Sequence, residues 1–255
     1  MNKTIVCYKW VLDESDIRIR PDLSIDLGQA KGKISDYDRN AIEAAVQVAG
    51  TRGGQAIGVT FGNDTAKTSL KDALSRGLEE CYWIRGKEAA QADGVLTAKV
   101  LAAAIKNVDE VSLIICAEGA SDTYARQTAP RIGAYLDWPV ITSVRKMDFA
   151  GNTLTAERKL DDCVETVSVE LPAVVAVLPE INQPPIPGLK AVLAAGKKPV
   201  HEVKVEDLGI DLAPKTEVAA VKGYMMNRKN IILNEGDAGA KVAQLADFLR
   251  KEGVL

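Results

Sequence analysis

The first two-thirds of the chain alternates short apolar runs with longer segments of helical periodicity, and this rhythm limits the folds open to it. Residues 4–11 (TIVCYKWV), 55–62 (QAIGVTFG), 81–84 (CYWI) and 111–119 (VSLIICAEG) read as strands. Between them, DYDRNAIEAAVQVAG offers Asp36 and Asp38 as capping acids, sets Ile42, Ala45, Val46 and Ala49 on one face, and stops at Gly50. NDTAKTSLKDALSRG repeats the plan from Asn63 or Asp64 to Gly77, and helices are expected over 93–108 and 123–136. Strand and helix in alternation imply βαβ units and a mostly parallel, doubly wound sheet of Rossmann-like type.

After Pro139 the pattern changes. PVITSVRKMDF, TLTAERKL and CVETVSVEL, joined by Gly151-Asn152 and Asp161-Asp162, predict antiparallel hairpins, and AVVAVL over 173–178 predicts a buried strand. The segment NQPPIPGLKAVLAAGKKPV follows. Pro184, Pro185 and Pro187 fix φ and lack an amide hydrogen, so it is a stiff extended loop that turns helical at LKAVLAAG. A rigid loop carrying Leu189 to the surface is either packing punctuation or a docking device. Ala191, Ala194 and Ala195 would then form a face open to close approach, with Lys197 and Lys198 as its charged rim. The division expected is an α/β domain over 1–200, including the proline loop at 182–199, and a C-terminal arm over 201–255. That arm ends in an amphipathic helix with Val242, Leu245, Ala246 and Leu249 in its stripe.

Composition removes several function classes. Thirty-two Lys and Arg against 35 Asp and Glu give a net charge of −3, so no global basic field exists for nucleic acid or an acidic membrane. The four cysteines, Cys7, Cys81, Cys116 and Cys163, lie too far apart for a CxxC pair or zinc spacing, and they read as reduced thiols of a cytoplasmic protein. The N-terminal run is broken by Lys9 and does not resemble a secretory signal, and no apolar run is long enough to span a bilayer. A single histidine, His201, leaves no Ser/His/Asp or Cys/His arrangement and no multi-histidine metal site.

In a parallel sheet ligands bind beyond the carboxyl ends of the strands. Three such ends offer residues: Cys7 to Lys9, Thr60-Phe61-Gly62, and Ala117-Glu118-Gly119-Ala120-Ser121-Asp122. The third runs through a glycine-containing loop toward a helix whose free amides suit an anion or nucleotide. Neither GxxxxGK[ST] nor GxGxxG is present, and Ser121-Asp122 serve equally well as a cap for that helix.

Five blocks carry a more specific signal: VCYKWV, KISDYDRNAIEAA, VTFGNDTAKTSLKDALSRG, LIICAEGASDTYARQTAPRIGAYLDWP and LPAVVAVLPEINQPPIPGLKAVLAAGKKP. In this order and spacing they cover almost the whole chain. They resemble the beta subunit of electron-transfer flavoproteins, in the branch associated with nitrogen fixation and carnitine metabolism in bacteria. The resemblance implies an electron carrier, not an enzyme with its own substrate, working as a heterodimer with an alpha subunit. It implies an FAD shared with that alpha subunit, and AMP or a second FAD buried in this chain. The transient partners it implies are a dehydrogenase of acyl-CoA dehydrogenase type and a quinone-linked oxidoreductase.

Carried over by position, the nucleotide contacts fall on Cys7, on Ser35, Asp36, Tyr37 and Asp38, on Phe61, and on the loop from Ala117 to Thr128, where Asp122, Gln127 and Thr128 match best. Lys9, Gly62, Glu118, Gly119, Ser121 and Thr123 complete the expected site. The loop departs from the family where Thr123 and Tyr124 follow a single Asp122, and where Arg126 stands in place of a smaller polar residue. A guanidinium there can pair with a phosphate. Leu189 is expected to be the plug of the partner-recognition loop. Two rivals stand beside this reading: an adenine-nucleotide-using enzyme of the same superfamily, whose Lys/His constellation is missing, and a nucleotide-binding sensor or stress-type homodimer without flavin.

Overall fold

The apolar runs of the first 200 residues meet in one sheet, as their lack of polar alternation requires. The computed structural model describes residues 2–224 and 228–255. Its contacts define two units, Met1–Arg18 with Asp26–Val221, and Ile19–Ile25 with Lys222–Leu255.

The order is β1 (Lys3–Cys7), β2 (Trp10–Leu12), β3 (Arg18–Ile19), β4 (Ile25–Asp26), β5 (Gly32–Ile34), α1 (Asp36–Arg52), β6 (Gln55–Gly62), α2 (Lys67–Ser75), β7 (Glu80–Arg85), α3 (Gly94–Ile105) and β8 (Val111–Ala117). Then come α4 (Thr128–Leu136), β9 (Val140–Ala150), β10 (Thr153–Lys159), β11 (Val164–Glu170), β12 (Ala173–Val177), α5 (Leu189–Ala195), β13 (Val200–Lys204) and α6 (Ala238–Lys251). The main sheet has nine strands in the order β11-β10-β9-β12-β8-β1-β6-β7-β13. Its seven strands from β9 to β13 run parallel, and β9, β10 and β11 form the antiparallel hairpins. The doubly wound α/β architecture read from the sequence is the one observed.

The strand expected over 4–11 breaks after Cys7. The Lys9 carbonyl accepts the Ser35 amide at 3.0 Å, and the chain leaves the main sheet to pair β2 antiparallel with β5. One face of the sheet carries Val6, Leu113, Ile115 and Val175 against α1 and α2. The other carries Ile5, Ile57, Ile114 and Val174 against α3 and α4. β12 is buried at all five positions, as a central parallel strand covered on both sides must be. Each valine or isoleucine so buried contributes about 1.5–3 kcal/mol.

Helix ends depart from expectation where tertiary bonds compete. α1 continues past Gly50 to Arg52, because the chain exits only where Gly53 takes φ 64°, a left-handed backbone that glycine adopts without a Cβ clash. α3 starts as expected, with Asp93 accepting the Leu96 amide at 2.8 Å. His201 lies on the edge strand β13, 2.7 Å from Glu80 and stacked on Tyr82. Cys7, Cys81 and Cys116 are buried free thiols, and Cys163 is an exposed one.

In the second unit, the Gly223 amide donates to the Leu23 carbonyl at 2.8 Å. α6 is capped by Asp237 on the Ala240 amide and leaves Val242, Leu245 and Phe248 exposed. Among the described residues no helix is long and apolar enough to cross a membrane.

Candidate functional site at the carboxyl ends of β1 and β8

From β1 the chain proceeds through α1 to β6 and β7 on one side, then crosses to β8 on the other side of β1. The strand order reverses between β1 and β8, which locates the crevice where sheets of this kind hold ligands. The two strands end level, with Cys7 opposite Cys116. The hydrogen bond with Cys7, and burial, push the Cys116 thiol well above its ordinary pKa, so Cys116 serves as part of an apolar floor.

The first turn of α1 ties the two strand-end loops together. Ser35, fully buried, accepts the Ser121 amide at 3.1 Å, and Asp38 accepts the Lys9 amide at 2.8 Å. The cap position of α1 is held by Ser35, not by Asp36 or Asp38 as expected from the sequence, and the Ser35 hydroxyl is engaged across the crevice and does not cap the helix. Asp38 is 5% exposed, and burial, reinforced by the charge of Asp122, raises its carboxyl to about 8 against the lowering effect of Lys9. Lys9 extends its ammonium to Asp122 at 2.5 Å, an ion pair spanning the ends of β1 and β8.

The β8 loop holds the largest departure from the sequence reading. The helix expected from Thr123 begins at Thr128, because Tyr124 and Arg126 adopt φ 46° and 56°, outside the helical region. Ser121 and Asp122 therefore do not cap α4. Asp122 instead binds Lys9 and the Thr123 amide, and the buried Ser121 hydroxyl has no protein partner. The amino end of α4 has no side-chain cap: Gln127, at the cap position, turns its amide oxygen to Arg131 at 3.2 Å.

Arg126 pairs with the largely buried carboxylate of Glu118 at 3.2 Å. It also donates to the Tyr124 hydroxyl at 3.1 Å and lies over that ring at 4.8 Å. Tyr124 in turn packs on Tyr37, ring centroids 5.2 Å apart, and over Gly119, where a Cβ would meet its ring at 2.8 Å.

Of the residues nominated from sequence, Cys7, Lys9, Ser35, Tyr37, Asp38, Ala117, Glu118, Gly119, Ser121, Asp122, Thr123, Arg126, Gln127 and Thr128 lie on these converging elements. Asp36 is taken up by Lys33 and Arg39, each at 2.8 Å. Phe61 and Gly62 end β6, on the far side of β1 from β8; Phe61 joins the core and the Gly62 carbonyl accepts from Trp83 at 3.2 Å. Tyr124 lies on the same loop, within the expected span from Ala117 to Thr128 but not singled out in it. Its left-handed backbone carries no glycine or asparagine signal, and only its departure from the family's acidic loop marked it.

The residues fit a nucleotide. An uncapped helix start, two cations, an unpartnered buried hydroxyl and an aromatic pair converge, the donor set that phosphate and a planar base need. Among the described residues no group of three or more metal-ligating side chains occurs. A separate cleft of about 350 Å³ opens at the ends of β6, β7 and β13, lined by Asn63, Arg85, Lys87, Lys204 and Glu206.

The segment after β12 is braced at both ends. Asn40 of α1 donates to the carbonyls of Pro179 and Asn182 at 3.0 and 2.9 Å, and Lys198 donates to the Leu78 carbonyl at 2.6 Å. Between these braces Ile186 is 94% exposed, and Leu189, which starts α5, is 76% exposed. Leu193 is exposed beside it, whereas Ala195 turns into the core.

A family model described as "Electron transfer flavoprotein domain" matches residues 22–208, a span that contains most of the sheet, the β8 loop and the proline segment. The chain belongs to the electron transfer flavoprotein family.

Proposed function

We propose that this chain is the beta subunit of a heterodimeric electron-transfer flavoprotein, carrying electrons between a dehydrogenase of acyl-CoA dehydrogenase type and a quinone-linked or other redox partner. The observation that carries the reading is the crevice between β1 and β8. Within a chain of this family, it gathers Lys9, Ser35, Ser121, Asp122 and Arg126 beside the uncapped start of α4. These residues hold AMP or a second FAD: Arg126 and the amides of Thr128 and Ala129 take phosphate, Lys9 and Asp122 set charge at the mouth, and Ser121 supplies a hydroxyl. A flavin supplies the acceptance and release of electrons. The chain's residues bind it, orient it and exclude water.

The proline segment is the docking loop for the dehydrogenase. Ile186, Leu189 and Leu193 form an exposed apolar strip on a loop whose ends are fixed, so little conformational entropy is lost on encounter. The apolar stripe of α6 packs on the alpha subunit, with which this chain shares the redox FAD.

Co-expression with a matching alpha subunit tests the reading. A yellow heterodimer is expected, and acid treatment of the isolated chain releases AMP or FAD. A colourless homodimer that binds ATP would refute it.

A further inference from the structure

The prolines that stiffen the segment after β12 also deprive it of donors, since Pro184, Pro185 and Pro187 carry no amide hydrogen. Its placement therefore depends on donors from other elements. At its start these come from one half-buried side chain. The Asn40 amide nitrogen donates to the Pro179 carbonyl at 3.0 Å, to the Asn182 carbonyl at 2.9 Å and to Asn182 Oδ1 at 3.1 Å. Asn182 Nδ2 returns a bond to the Asn40 carbonyl at 3.0 Å.

Asn40 belongs to the helix that ties the crevice together. Ser35, at the cap position of α1, accepts the Ser121 amide from the β8 loop, and Asp38 in the first turn accepts the Lys9 amide from the end of β1. Asn40 follows about one turn after the start of α1. Over so short a span an intact helix moves as one piece, so a displacement of Ser35 and Asp38 is carried to Asn40 and on to the proline segment. The far end of the segment is held elsewhere. Lys198 donates there to the Leu78 and Leu74 carbonyls at 2.6 and 3.4 Å, at the end of α2.

We propose that α1 couples the crevice to the docking segment through Asn40. A nucleotide that draws the ends of β1 and β8 onto the first turn of α1 orders the segment, and a partner docked on the segment tightens the nucleotide by the same factor. This inference rests on the nucleotide and docking readings given above and adds a regulation that links them.

The test follows hydrogen exchange of the segment's amides, at Ile186 and from Gly188 to Val192, in the full chain freed of nucleotide by dialysis. Exchange is compared without and with saturating AMP or FAD, and calorimetry reports the affinity for each. In the wild type the bound nucleotide slows this exchange about fivefold. Asn40→Ala and Asn40→Leu, which place no donor there, exchange faster than the wild type and lose the nucleotide effect. Lys198→Met also exchanges faster but keeps the effect. This contrast separates coupling from simple bracing, because bracing alone raises basal exchange in all three variants and gives nucleotide no influence in any protein.

Nucleotide that binds the wild type and leaves exchange unchanged overturns the coupling. So does an effect that survives in both Asn40 variants, or one that is lost equally in Lys198→Met. A wild-type chain that binds neither AMP nor FAD overturns the nucleotide reading beneath it. The docking reading fails separately, if Ile186→Ser and Leu189→Ala both transfer electrons at the wild-type rate.

Discussion

Replacing Asp38 by asparagine should flatten the pH dependence of stability. Asp38 keeps its proton to about pH 8 in the folded chain, chiefly because burial penalises the carboxylate, whereas an unfolded aspartate releases it near 3.8. Its folded pKa is raised, so between these values unfolding releases a proton. The stability contribution is therefore present at low pH and lost as pH climbs toward 8. At about 1.4 kcal/mol per unit, the three units from pH 5 to pH 8 set a ceiling of about 4 kcal/mol. Allowing for water penetration and local relaxation, about 2 kcal/mol is expected.

Asparagine preserves an acceptor for the Lys9 amide and does not titrate. In a protein of this size the difference corresponds to roughly 4–8 °C in Tm. Thermal melts of both proteins across that range should show the wild type losing this much more than Asp38→Asn. Parallel curves for the two proteins would refute the argument that Asp38 is protonated in the fold.

Two further substitutions test packing and docking. Gly133 of α4 lies so close to β9 that a Cβ there would stand 2.1 Å from Val140 Cγ2 and 3.1 Å from the Trp138 carbonyl, so Gly133→Ala is expected to cost about 1–3 kcal/mol in chemical denaturation. Ile186→Ser and Leu189→Ala should leave heterodimer formation and flavin content intact and slow electron transfer with the dehydrogenase, Ile186→Ser at least as strongly because it is the more exposed of the two. Transfer rates equal to wild type in both would show that the loop does not dock.

Much of the fold was legible because burial writes itself into composition. β12, buried on both faces, is the unbroken run AVVAV, and β6 matched its apolar run residue for residue. The hairpins of β9 to β11 followed from Gly151-Asn152 and Asp161-Asp162 between β-branched segments. What failed was local and had tertiary causes. The break between β1 and β2 depends on bonds between Lys9 and residues 35 and 38, a separation that no short-range pattern records. The bonds from Asn40 and Lys198 that brace the two ends of the proline segment are equally long-range.

The same cause explains why the site was only half legible. Ser35, Asp38, Ser121 and Asp122 all stand just before helical patterns, and their residue types are those of helix caps. In the fold each is bound to a partner distant in sequence: Ser35 to Ser121, Asp38 to Lys9, Asp122 to Lys9. A residue that could satisfy its own helix but instead ties two strand ends together leaves a helix start without a side-chain cap, and both α1 and α4 begin that way. Free amides at the mouth of a parallel sheet are what an anionic ligand requires. At the candidate site the residues that look like caps are spent on tying the ends of β1 and β8 together, beside the reversal of strand order between those two strands.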